Sequence, residues 1–135
     1  MPNFGNRSKN NLATAHPELQ RLFNEVIKGY DCAVICGHRN QEDQDKAYNE
    51  GRSRIKYPNG KHNKQPSQAV DVVPWFKNKP NIRWNDSKKF YHFAGYVQGV
   101  ADALGITIRW GGNWDGDDEL LDQTFFDLPH FEIKI

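Results

Sequence analysis

Two histidines and two aspartates stand in this sequence where solubility alone does not explain them. The run from Lys61 to Trp75, KHNKQPSQAVDVVPW, sets His62 in a polar loop interrupted by Pro66, then sets Asp71 inside the apolar segment Ala69-Val70-Asp71-Val72-Val73. A carboxylate among buried valines is costly unless a positive charge compensates it. A metal ion would do so, with His62 as a second ligand; an arginine such as Arg39 would do so as a purely structural partner. The C-terminal run FFDLPHFE adds His130, with Asp127 three residues before it. A catalytic zinc takes three protein ligands and leaves a fourth position to water. His62, Asp71 and His130 supply that set, two neutral imidazoles and one carboxylate, leaving a net positive site. Such a site lowers the pKa of bound water from about 15.7 toward about 7. Asp127 is then the candidate base, able to take a proton and return it to a leaving amine. Each residue also has a plainer reading: His62 as a loop histidine, His130 as a satisfied core histidine, Asp127 as a turn cap. No contiguous zinc motif such as H-E-x-x-H occurs.

Arg39 follows the apolar run Asp31 to Gly37 at a strand-to-helix corner, a common place for functional side chains. Its planar fork suits a substrate carboxylate, and Gln44 or Glu42 is placed to hold it. His38 beside it is read as lining the cleft, His16 as a helix-start residue, and His92 as a helix-surface or core residue. Cys32 and Cys36 fall in one strand, where four residues at about 3.3 Å each separate them by about 13 Å, too far for a disulfide. Reduced, buried thiols fit a cytosolic protein; a Cys-x3-Cys metal pair is the other reading. Asn113-x-Asp115-x-Asp117, with Asp118, Glu119 and Asp122 nearby, resembles half of a calcium loop, against an ordinary acidic loop.

The elements that must position these residues alternate in type. A helix is expected from Pro17, with Leu19, Leu22, Phe23, Val26 and Ile27 on one face, ending at Lys28-Gly29. Asp31 to Gly37 reads as a buried strand. Gln41 to Glu50 reads as a mostly solvated helix with Ala47 and Tyr48 toward the core. Arg52 to Lys64 is a basic loop without an acid, either simply solvated or a lip that attracts acidic substrate groups. After the strand around Asp71, residues 76–85 form a loop or short hairpin, and Asp86-Ser87 caps a helix to Leu104 with Phe90, Phe93, Ala94, Val97, Val100, Ala101 and Leu104 aligned. Ile106 to Trp110 is a strand. Phe125 to Ile133 is expected as an edge-to-core strand broken by Pro129. Residues 1–11 read as a polar tail or capping segment. No repeat or linker divides residues 1–135, so the expectation is one α+β domain, with a small, mostly antiparallel sheet and about three helices.

The totals are consistent with that. A length of 135 residues suits one domain with a real core. A net charge of +1 implies no general attraction to nucleic acid or membrane. No segment approaches the roughly 20 apolar residues of a membrane helix, and the polar N-terminus MPNFGNRSKNN lacks a signal core.

Taken together these residues fall into a pattern. Gly37-His38-Arg39 matches a G-[YF]-R corner. Gly60-Lys61-His62 through Gln68-Ala69-Val70-Asp71 matches S-x-H-x-x-G-x-A-x-D. Trp110-Gly111-Gly112-Asn113-Trp114 matches W-G-G-[DN]-W, and Asp127-Leu128-Pro129-His130-Phe131-Glu132 matches an acid three residues before a histidine. In these the chain resembles the zinc peptidases that group D-alanyl-D-alanine carboxypeptidases with L-alanyl-D-glutamate endopeptidases, and is most similar to the short single-domain endolysins of tailed phages. The resemblance runs from about Leu19 to Glu132. It departs in Gly60 for the motif serine, His38 for an aromatic residue, Pro66-Ser67 where a glycine is usual, and a His62–Asp71 spacing two residues longer. It implies zinc held by His62, Asp71 and His130, Asp127 as base, and Arg39 near the scissile carbonyl or a substrate carboxylate. It further implies a monomeric enzyme that meets the peptidoglycan stem peptide, with neither nucleic acid nor membrane insertion, and that is held in the host cytoplasm until released to the wall. The expected activity is cleavage between L-Ala and D-Glu. The alternatives are D-Ala-D-Ala carboxypeptidase action, or a wall- or anion-binding module without turnover.

Overall fold

Strand β2 (Ala69–Pro74) alternates faces, so Val70 and Val72 point one way and Asp71 and Val73 the other. Val70 and Val72 join the hydrophobic core. Asp71 is therefore not an acid among core valines but an acid on the opposite face of the same strand. A computed structural model describes residues 2–113 and 127–135, and within them β2 lies beside β1 (Cys32–Cys36), β3 (Ile108–Gly111) and β4 (Asp127–Ile133). The sheet order is β1-β2-β4-β3, every neighbouring pair antiparallel. With helices α1 (Asn6–Ala13), α2 (Pro17–Gly29), α3 (Gln41–Asn49) and α4 (Ser87–Leu104), this is the expected α+β architecture with one helix more than expected.

Helices α2 and α4 cover the core face. Leu19, Leu22, Phe23 and Val26 of α2 meet Phe93, Ala94, Val97 and Ala101 of α4 over Phe131 and Ile133 of β4. The caps lie where the sequence places them: the His16 Nδ1 accepts from the Glu18 N–H at 3.1 Å, Asp86 accepts from the Lys89 N–H at 3.2 Å, and Gly105 ends α4 at φ +72°. With helices on that face, the sheet's other face is left to the polar site.

Two expectations are narrowed or corrected. Of the two readings of the N-terminal segment, tail or capping segment, the structure favours the second. Residues Asn6–Ala13 are helical, Phe4, Ser8 and Leu12 are buried, and the segment lies along the free edge of β1. There the Ser8 hydroxyl accepts from the Val34 N–H at 3.0 Å and the Asn11 amide donates to the Val34 carbonyl at 2.8 Å. Its polar composition hid this, because its side chains serve the strand's backbone rather than the core. The last strand is not at an edge: β4 lies between β2 and β3. Proline is tolerated there because it sits in a bulge. β3 residue Trp110 faces Phe131, but the next residue, Gly111, faces Asp127, so Leu128, Pro129 and His130 loop out of register with β3.

Candidate active site

That bulge decides the site. Residues three apart on a regular strand point to opposite faces, which would separate Asp127 from His130. The irregularity between them turns both to one side, and the Asp127 Oδ2 lies 3.8 Å from the His130 Nδ1. Across the β2–β4 ladder His130 stands opposite Asp71, with its Nδ1 3.6 Å from the Asp71 Oδ1. The bulge needs Gly111, where a β-carbon would strike the Asp127 carbonyl. The Trp110 indole N–H spans it, donating to the Leu128 carbonyl at 2.7 Å.

His62 arrives from the long loop between α3 and β2. A single 3-10 turn, Lys61–Asn63, buries its ring. The turn is pinned to the corner after β1: the Arg39 N–H donates to the His62 carbonyl at 2.8 Å, and the Asn63 amide donates to the Arg39 carbonyl at 3.0 Å. The longer His62–Asp71 connection is taken up by anchoring Ser67 against Ala15 and Thr14, with the Ser67 N–H donating to the Thr14 carbonyl at 2.9 Å. His62 then reaches the Asp71 Oδ1 with its Nε2 at 3.1 Å, and the two imidazole centroids are 5.1 Å apart.

Each imidazole is held from behind. The His62 Nδ1–H donates to the Gly37 carbonyl at 2.8 Å. The His130 Nε2–H donates to the Glu132 Oε1 at 2.8 Å, and the Arg109 Nη2 grips the other Glu132 oxygen at 3.0 Å. Glu132 is thus a site residue to which the sequence reading assigns no role. The signal was its spacing: two residues from His130 on one strand, it shares that histidine's face.

Arg39 donates from Nη2 to the Asp71 Oδ2 at 3.4 Å and from Nη1 to the Gln44 Oε1 at 3.1 Å. The ion pair with Asp71 that the sequence left open as an alternative is therefore present. Of the two candidates to hold Arg39, Gln44 does so and Glu42 lies exposed. The buried Gln44 amide also donates to the Ser53 hydroxyl at 3.0 Å and the Ile55 carbonyl at 2.6 Å, tying the basic loop to the corner. Cys32 is buried, but Cys36 is half-buried at the site, with its Sγ 3.7 Å from the Arg39 Nη2 and 3.9 Å from the His62 Nδ1. His38 is half-buried, His16 caps α2, and the exposed His92 meets the Tyr30 hydroxyl at 2.7 Å. Asp115, Asp117, Asp118, Glu119 and Asp122 of the half calcium loop lie outside the described residues.

The electrostatics follow from crowding. Burial disfavours a charged His62, but the Asp71 carboxylate and its hydrogen bond outweigh this and push the imidazole up to about 10. Burial likewise opposes charge on Asp71, yet the two imidazoles hold it well below the usual carboxylate range. Burial also opposes charge on His130, but hydrogen bonds to Asp71 and Glu132 raise it. Asp127 has burial and then the neighbouring Asp71 charge against it, and rises to about 6.

Among the described residues, two groups of donors lie close enough to hold a cation: Asp71, Asp127 and His130, and Cys36, His62 and Asp71, sharing Asp71. The hydrogen bonds favour a centre between the imidazoles. With Nδ1 of His62 and Nε2 of His130 occupied from behind, the nitrogens left to face a cation are His62 Nε2 and His130 Nδ1, and both point at the Asp71 Oδ1. Cys36 touches His62 on the Nδ1 side, away from that point.

Among known proteins, the chain is 29% identical over 135 residues to the L-alanyl-D-glutamate peptidase of Escherichia phage T5, covering 96% of each chain. Its fold superposes on the crystal structure of the Serratia marcescens L-Ala D-Glu endopeptidase ChiX with a TM-score of 0.77 and 26% identity, covering 98% of this chain and 90% of that one. The family model of the phage L-alanyl-D-glutamate peptidases matches residues 2–134. The chain belongs to the phage L-alanyl-D-glutamate peptidase family.

Proposed function

We propose that this chain is a zinc-dependent endopeptidase of bacterial peptidoglycan that hydrolyses the L-alanyl-D-glutamate bond of the stem peptide. The observation that carries the reading is the convergence of His62 Nε2, Asp71 Oδ1, His130 Nδ1 and the Asp127 carboxylate on one point of the polar sheet face, in a member of this family.

The donor set fits zinc: two imidazole nitrogens and one carboxylate, each imidazole oriented by a hydrogen bond from behind, are the ligands of an open catalytic site. Bound by His62, Asp71 and His130, zinc would supply a Lewis acid for the scissile carbonyl and acidify water. The chain's own residues do the rest. Asp127, raised to about 6, is ionised at neutral pH yet close enough to that pH to hold a proton briefly. It takes the proton of the attacking water as oxygen bonds to the L-Ala carbonyl carbon. When the C–N bond breaks, it passes that proton to the departing D-Glu amine, leaving a free L-Ala carboxylate. Arg39 keeps Asp71 aligned through the Oδ2 atom and adds positive charge for the carbonyl oxygen or a substrate carboxylate. The basic loop beyond Gln44 faces the carboxylates of the stem peptide. Among the described residues no helix is long and apolar enough to cross a membrane. The enzyme acts as a monomer, held in the host cytoplasm until the wall becomes accessible.

Mass spectrometry of a purified murein digest tests the reading. New L-Ala carboxyl and D-Glu amino ends are expected; release of free D-Ala would instead select a D-Ala-D-Ala carboxypeptidase. Asp127→Ala should lower turnover by about 10²–10⁴-fold while keeping its zinc. Wall binding with no turnover in the parent protein would reduce it to a binding module.

A further inference from the structure

At the far end of the sheet from the active site lies a second surface with its own chemistry. β1 and β2 pair from Cys36–Asp71 at the site to Cys32–Pro74 at the other end, about 10 Å further along the strand. There the chain leaves β2 into a loop that reaches α4. Between Trp75 and Lys89 it carries Lys77, Lys79, Arg83, Lys88 and Lys89 against a single acid, Asp86, whose side chain caps α4. In a chain of net charge +1, this is a local concentration of positive charge.

The loop is well braced. Phe76 and Asn81 are joined twice at 2.8 Å, by the Phe76 N–H to the Asn81 carbonyl and by the Asn81 amide to the Phe76 carbonyl. The Arg83 guanidinium lies 3.8 Å over the Phe76 ring and donates to the Pro80 and Asn78 carbonyls at 3.2 and 3.3 Å. Trp84 stacks on Phe90, 6.1 Å between centroids at 23°. Its other side is open: Trp84 is 57% exposed and Trp75 37%. Beside Trp84 runs a groove of about 630 Å³ lined by Pro80, Ile82, Arg83, Trp84, Asn85 and Asp86. Tryptophan is highly buried on average, and here an exposed indole is held flat by stacking from beneath.

We propose that this surface is a binding platform for the glycan strand of the wall polymer together with the carboxylates of the stem peptides it bears, remote from the peptide-cleaving site. The proposal rests on the function given above for the identity of the polymer. The open indole face matches the flat C–H face of a sugar ring, and Lys77, Lys79 and Arg83 match carboxylates along the strand. An anionic lipid surface would also attract the lysines, but the loop tip Lys77-Asn78-Lys79-Pro80-Asn81 sets four polar residues against one proline, too little apolar surface to bury among acyl chains. The platform would hold the enzyme on its insoluble substrate between cuts, raising the local concentration of stem peptides at the site.

The test uses the full chain and the variants Trp84→Ala and Lys77→Glu/Lys79→Glu. Binding to purified peptidoglycan sacculi is measured by pelleting across salt concentrations, and hydrolysis is followed both on sacculi and on a soluble stem peptide. The expected result is about tenfold weaker sacculus binding in each variant, slower clearing of sacculi, and a soluble-peptide rate unchanged in both. An unchanged rate also reports an intact fold. Sacculus binding and clearing equal to the parent's would overturn the platform, as would binding lost only to phosphatidylglycerol vesicles or to single-stranded DNA. If the parent fails to cut the soluble peptide, the proposed cleavage falls, while the sacculus-binding comparison still decides the platform.

Discussion

The two site histidines differ in how they are reached but share one device: a fixed acceptor behind the ring selects which nitrogen faces the centre. In the metal-free protein the neighbouring carboxylates favour the protonated form of both rings, through hydrogen bonds to Asp71 and Glu132 at His130 and through Asp71 at His62. His62 is raised from 6.5 to about 10 by Asp71, so at pH 7 it is an imidazolium donating to Asp71. A group raised in the folded state stabilises the protein fully below its unfolded value and loses that contribution as pH climbs through the folded one. The metal-free protein should therefore lose stability between pH 6.5 and about 10 through His62. A zinc ion must displace that proton, so uptake at pH 7 should release protons. Titration calorimetry in buffers of different ionisation enthalpy measures this, and metal uptake without proton release would remove His62 from the ligand set. Glu132 gives a second prediction at this scale. Glu132→Gln keeps the shape but removes the charge behind His130, and should weaken zinc binding about 10–100-fold by chelator competition. A variant binding zinc as tightly as the parent would make Glu132 merely a partner of Arg109. The residue types were legible in the sequence, and so was Gln44 as a candidate support for Arg39; the support behind His130 was not. Asp71 and His130 stood out because an acid in a valine strand and a histidine after proline need explaining. Glu132 looks like an ordinary polar residue until its partner 23 residues away, Arg109, is in view.

At the level of elements, helix periodicity and caps carried most of the information. α2, α3 and α4 lie within a residue or two of their expected bounds. Position in the sheet was not legible, because strand order depends on pairings that no single segment encodes. Pro129 pointed to an edge; the bulge that accommodates it exists only through Trp110 and Gly111, far away in sequence. Gly111→Ala tests that dependence. The added carbon would meet the Asp127 carbonyl, and displacing it should cost about 1–3 kcal/mol, as overpacking does, while also moving Asp127 off His130. Urea unfolding and the murein assay should fall together. A variant that loses activity at full stability would confine the effect to Asp127, and one unchanged in both would mean the bulge does not need glycine.

For the whole molecule, the site and the core share one strand. Phe131 is fully buried, edge-on to Phe23 at 5.5 Å and to Phe93 at 6.0 Å, and its chain neighbours His130 and Glu132 face the other way. Phe131→Ala should cost about 3–5 kcal/mol in denaturant unfolding. Zinc should recover part of that loss by binding only the folded state; a melting temperature that does not respond to zinc would uncouple core from site. The overall class was legible because aromatic and aliphatic residues recur at helical spacing on one side of the sheet. The N-terminal helix was not, since Ser8 and Asn11 act on backbone.

That helix carries a consequence for how molecules of this chain meet one another. Ser8 and Asn11 occupy the outward amide and carbonyl of Val34, so a second molecule finds no bare ribbon there to extend. Trimming the first dozen residues would uncover it, and concentrated protein would then be prone to polymerise strand upon strand.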